Sequence, residues 1–182
     1  MAFGDAGVMP DTDMLDRLIR TPVRTDDDVV DLVTALLERP VTRQCWVLFL
    51  DRRAVPVPFV MPISDLPWQP DEHVEDFAAL VADVVGHVSA AEVVLVWERP
   101  GESRLFPVDW EWVDACACAF AEHHVRIRAQ VAVHTGGVAT VSLDEVDGVD
   151  GVDGVDGDGG RRCDCCPTDD DDGCGGALAL AS

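Results

Sequence analysis

The chain contains no lysine; all thirteen basic residues are arginine, set against thirty-five Asp and Glu, and the formal net charge is −22. Clustered Lys and Arg are what draw a phosphate backbone or an anionic lipid surface, so nucleic acid and membranes are poor partners for this chain. The replacement of lysine by arginine has the character of a compositional bias and carries no mechanistic meaning. No run approaches the ~18 apolar residues that cross a bilayer. The start, Met1-Ala2-Phe3-Gly4-Asp5, has neither the basic stretch nor the apolar core of a secretory signal, which makes a cytoplasmic protein the expectation. Thiols there are reduced, and seven cysteines, an odd number, argue against a complete disulfide framework. Missing too are a Ser-His-Asp spacing, a phosphate-gripping glycine loop and a basic stripe.

What is present sorts into three parts. Residues 1–24 are an N-terminal segment interrupted by Gly4, Gly7, Pro10 and Pro22 and expected to be partly flexible; a short helix over Asp13–Arg20 would place Met14, Leu15, Leu18 and Ile19 on one face. Residues 25–144 carry an α/β domain. Thr25 followed by Asp26-Asp27-Asp28 predicts a helix start, with Val29, Val30, Val33, Leu36 and Leu37 at helical spacing before Pro40. Gln44–Asp51 reads as a buried strand, and Ala54–Ile63 as a strand paired with it. The donors missing at Pro56, Pro58 and Pro62 place that second strand at a sheet edge. Asp71–Ser89 is a helix with a stripe of Val74, Phe77, Val81, Val84 and Val88. A strand at 93–97, a helix from Asp109 to about His123, and strands over Val125–Val133 and Val138–Leu143 complete the domain. Residues 145–182 form an acidic Asp/Gly/Cys-rich tail, expected to be disordered. From Asp144 onward eleven Asp and one Glu face only Arg161 and Arg162, so the remaining body is acidic as well.

The densest information lies between Glu92 and Val125. Val93-Val94-Leu95-Val96-Trp97 is a continuous apolar run, as in a strand buried on both faces. Glu98-Arg99-Pro100-Gly101 stops it, and Pro107-Val108-Asp109 opens the next helix. This layout, with the element order over roughly Thr42 to Leu143, resembles the JAB/MPN/RadC family, whose buried strand ends in His-x-His-Pro with an Asp at the start of the following helix. The resemblance implies a mixed β-sheet with helices packed on its faces, a three-layer architecture also similar to cytidine deaminases. In that family the two His and the Asp hold zinc, and a Glu elsewhere takes a proton from its water. Here Trp97 and Arg99 stand at the His positions, while Pro100 and Asp109 remain. The spacing from Arg99 to Asp109 is one residue shorter than the family's, and the Ser before the Asp is absent. Trp97 cannot ligate, and Arg99 brings a permanent positive charge to where a cation would sit. Asp109 is then either a helix N-cap or the partner of Arg99 in a salt bridge that replaces the metal.

The resemblance therefore implies a pseudoenzyme, a non-catalytic binding or protein-interaction module with no metal and no cofactor. The alternative is a metal-dependent hydrolase with a rearranged site around Asp109, using Glu98 and a His such as His134. The candidate binding residues are Trp97, Glu98, Arg99, Asp109 and Trp110. With Trp112 nearby, Arg99 or Arg104 would stack on a ring or grip an acid from a protein or small molecule. The plain alternative makes one or two of these tryptophans core and one a surface cap. Cys116 and Cys118 lie about 200° apart around a helix and cannot share one ion; beside Ala115, Ala117 and Ala119 they read as packing residues. His123-His124 reads as a helix end favoured by the dipole. Cys163, Cys165, Cys166 and Cys174 are a weak match to zinc spacing, and Asp156-Gly157-Asp158 lacks the rest of a calcium loop.

Overall fold

Thr25 opens the first helix, α1 (Asp26–Leu36), through a reciprocal cap: its hydroxyl accepts the Asp28 N–H at 3.1 Å, and Asp28 accepts the Thr25 N–H at 2.8 Å. The computed structural model describes residue 17 and residues 19–37 and 39–141. The expected tail from 145 onward, with its four cysteines, and most of the N-terminal segment lie outside the described residues. After α1 come β1 (Gln44–Leu50), β2 (Pro56–Ile63), α2 (His73–Val88), β3 (Glu92–Glu98), α3 (Pro107–Glu122), β4 (Ile127–His134) and β5 (Gly137–Val141). No helix among the described residues is long and apolar enough to cross a membrane.

The five strands form one mixed sheet in the order β2-β1-β3-β4-β5. Strand β1 runs antiparallel to both neighbours, in a register that sets Gln44 opposite Glu98 and Cys45 opposite Trp97. Strand β3 is parallel to β4, joined to it through α3, and β5 folds back antiparallel as a hairpin. Side chains on a strand alternate between faces. Cys45, Val47, Phe49, Val93, Leu95 and Trp97 meet α2 and α3 on one side, where Phe77 and Phe120 pack edge to face at 5.3 Å. Leu48, Leu50, Val94, Val96, Val131 and Val133 meet Val29, Leu32 and Val33 of α1 on the other. The continuous apolar run in β3 follows from this, because both of its faces are covered.

Element boundaries differ from expectation where side chains compete for backbone groups. Helix α2 begins at His73, not Asp71, because Asp71 accepts the His73 N–H from outside the helix at 3.1 Å. It ends at Val88, with Ser89 in the left-handed region at φ 57°. Helix α3 begins at Pro107, two residues before Asp109, since Asp109 reaches back to the Phe106 N–H. Asp109 is thus an inner-turn residue and not the N-cap. Strand β4 starts at Ile127, after a turn in which His124 has φ 56°. Strand β2 starts at Pro56 and occupies the edge its prolines require. The β3–α3–β4 crossover leaves the loop 99–106 and the first turn of α3 at the carboxyl ends of two parallel strands. This is the position where open α/β sheets build their clefts.

Candidate functional site

Arg99 continues the β3–β4 ladder, its N–H donating to the Val133 carbonyl at 3.0 Å. Strand parity then sends its side chain toward α3, on the face opposite Glu98. The side chain is almost wholly buried, with the residue 6% exposed. Its Nη1 lies 3.2 Å from Asp109 Oδ2, and its Nη2 donates to the Glu102 carbonyl at 2.7 Å and also to the Arg104 carbonyl. The guanidinium carbon stands 5.1 Å from the centre of the Phe106 ring. A carboxylate, two carbonyls and an aromatic face therefore hold one buried cation. Only Nε of that guanidinium is buried without a hydrogen-bond partner among the described residues.

Asp109 serves two masters. Oδ2 also accepts the Phe106 N–H at 2.9 Å, while Oδ1 faces Arg43 Nη2 at a looser 3.9 Å. Arg43 is anchored by the carbonyls of Pro67 and Trp68, at 3.1 and 3.5 Å, and stacks over the Trp68 ring at 5.3 Å. Trp97 lies beneath this layer, its indole N–H donating to Gln130 Oε1 at 2.9 Å. Gln130 in turn donates to the Val113 carbonyl at 2.9 Å, so a polar pair inside the core is fully matched. The rings of Trp97 and Trp112 lie 6.2 Å apart, and the Trp112 indole reaches the Trp68 carbonyl at 3.4 Å.

Glu98 performs a separate task on the α1 face. Its carboxylate accepts the Val41 N–H at 2.7 Å, Gln44 Nε2 at 2.5 Å and the Trp46 indole at 2.7 Å. Burial pushes this carboxyl up, but the donors around it outweigh that effect and hold it below the usual range. It is a structural acceptor with its lone pairs occupied.

The crevice over these residues, which Glu98 and Gln44 also line beside Trp97, Arg99, Asp109 and Trp112, encloses only about 10 Å³. That is the space of about one water molecule. Trp110 does not line it; that residue is half-buried on α3 against the core, and Trp112 takes the place expected for it. Arg104 contributes its carbonyl while its residue stays exposed. The ring beside Arg99 belongs to Phe106 and not to a tryptophan. Sequence reasoning missed Phe106, Arg43, Trp68, Gln44 and Trp46. The last two were within reach, since the pairing of β1 with β3 puts Gln44 directly opposite Glu98. Arg43 and Trp68 arrive by loop packing, which leaves no periodic signal.

The donor set for a rearranged metal centre does not assemble. Among the described residues no three His, Cys, Asp or Glu side chains come together. Glu98 and Asp109 are engaged on opposite faces, and His134 Nδ1 accepts the Gly136 N–H at 3.0 Å. The buried thiols are not poised for attack: burial pushes Cys116 up to about 12, and raises Cys45 well above its ordinary value with Cys116 adding to the effect. Cys118 is half-buried on the same helix. His123 closes α3 and turns to Glu75 of α2 at 3.2 Å. No protein-family model matches the chain, and no curated protein is similar to it.

Proposed function

We propose that this chain is a non-catalytic binding or protein-interaction module on a JAB/RadC-like fold. The observation that carries the reading is the buried Arg99–Asp109 pair at 3.2 Å, at the strand end where the resembling family places its metal. A guanidinium fixed by an acid, two carbonyls and a ring supplies a permanent internal cation. It keeps the Asp109 carboxylate compensated and leaves room for about one water. Such an arrangement stabilises a strand end and offers no open coordination position to a substrate.

The rim of the plugged site is where contact with a partner is favoured. Trp68 and Phe106 are 67% and 54% exposed, and each lies against an arginine that is bound to Asp109 or faces it. Aromatic and arginine side chains are the residue types enriched at protein interfaces. An unidentified protein or small molecule of apolar and acidic character fits this rim.

Zinc uptake tests the reading. The full chain and its Asp109→Asn variant, both purified without a histidine tag, are dialysed against zinc and their metal content is measured. Equal zinc per chain is expected, whatever the tail cysteines contribute, because Asp109 ligates nothing. One equivalent fewer in Asp109→Asn would establish the metal-dependent alternative.

A further inference from the structure

We infer that the apolar groove between α1 and the edge strand β2 is the seat of the chain's own N-terminal segment, entered by Met14, Leu15 and Leu18. Helix α1 packs chiefly over β4 and β5 and reaches Leu48 and Leu50 of β1 from one side, which leaves the β2 side of this face only lightly covered by the described helices. Two adjoining hollows of about 180 and 120 Å³ open there, sharing Leu36, Leu48 and Val60, and no charged side chain among the described residues lines either. A cavity of ~150 Å³ takes one benzene ring, so each hollow has the size of an apolar side chain. Phe59 and Val60 remain 42% and 39% exposed beside them.

The edge itself selects the kind of occupant. Of the eight residues in β2, Pro56, Pro58 and Pro62 have no N–H, so an added strand would find a ladder short of donors. The occupant must engage through side chains, and a helix with an apolar stripe does so. The sequence offers such a stripe immediately before the groove. Ile19 already lines the smaller hollow, and Arg17 is helical. The Arg17 carbonyl accepts the Arg20 N–H at 3.1 Å and the Thr21 hydroxyl at 2.8 Å. Just downstream, the Val23 N–H is tied to the Ala54 carbonyl beside β2 at 2.7 Å. Met14, Leu15 and Leu18 share a helical face with Ile19. At 1.5 Å per residue Met14 would lie only ~8 Å from Ile19, within the length of the groove. A second copy of the chain is disfavoured as occupant by a net charge of −22 on each molecule.

A photoreactive p-benzoylphenylalanine at position 15 of the full chain reads the contact directly. Cross-links within one chain to residues 56–60 or to Leu36 are expected. Cross-links joining two chains would hand the groove to a second copy, and none to the groove would leave the segment undocked; either overturns the proposal. As an independent measurement, the full-length double variant Leu15→Asp, Leu18→Asp should bind an apolar dye several-fold more than wild type. The control Val8→Asp, on the far side of Pro10, should not. Equal dye binding by the double variant and wild type would also refute the docking.

Discussion

Arg99 and Glu98 are neighbours in sequence with unrelated duties, because one residue of strand parity sends them to opposite faces. The Arg99 guanidinium and the Asp109 carboxylate are 7% and 11% exposed, so removing the cation strands a buried acid. Arg99→Ala is therefore expected to destabilise the domain by about 3 kcal/mol in denaturant unfolding. Arg104→Ala, which loses only an exposed side chain, should stay within ~0.5 kcal/mol of wild type. Equal effects of the two substitutions would show that the pair contributes nothing. Glu98 gives a pH-dependent test. Its folded carboxyl titrates below the unfolded one, so its stabilisation is fully present above the unfolded value and is lost as pH falls through the folded one. Glu98→Gln should cost about 2 kcal/mol near neutrality, through loss of charged acceptors. The gap to wild type should narrow below about pH 4. A gap that stays constant down to acid would remove the carboxylate from the account.

At the scale of elements, β2 shows how an apolar edge is kept from sticking. It reads Pro-Val-Pro-Phe-Val-Met-Pro-Ile, with no charge to repel a second strand. The usual protection by charged residues is replaced by missing donors. Restoring them with Pro58→Val and Pro62→Val is expected to promote self-association, seen as concentration-dependent sedimentation while wild type stays unchanged. A monomeric double variant would mean that the edge is protected by something other than proline. Helix starts illustrate a different competition. The cap at Thr25 was legible because a Thr precedes three acids, whereas the start of α3 was read two residues late. Asp109 has the chemistry of a cap, yet it works from inside the first turn by reaching back to Phe106.

At the scale of the whole molecule, the buried residues of the two apolar clusters run, among the described residues, from Val23 to Val133, with Val138 and Val141 packed against them. Deletion of residues 146–182 is accordingly expected to leave the melting temperature almost unchanged, since that stretch has little periodic apolar surface to bury. A drop of many degrees would show that the tail cysteines or Ala177-Leu178-Ala179-Leu180 dock on the domain. The same deletion removes a net charge of −8, ten Asp set against Arg161 and Arg162. Any small change that does occur should therefore be a gain at low ionic strength, where self-repulsion is strongest.

By itself the sequence determined where elements lie, because burial leaves a period. A run buried on both faces is continuous in β3, a half-covered helix shows a stripe in α2, and an edge strand tolerates prolines in β2. It also placed Arg99 and Asp109 at the two ends of one loop and named their pairing as one of two alternatives. Only the tertiary structure showed that Asp109 pairs with Arg99 and bonds the Phe106 N–H from inside the first turn, not as the N-cap. It alone brought Arg43, Trp68 and Phe106 to the pair, set Trp112 there instead of Trp110, and turned Glu98 to the other face against Gln44 and Trp46. Those contacts join residues tens of positions apart through loops and strand register, and neither leaves a periodic trace along the chain.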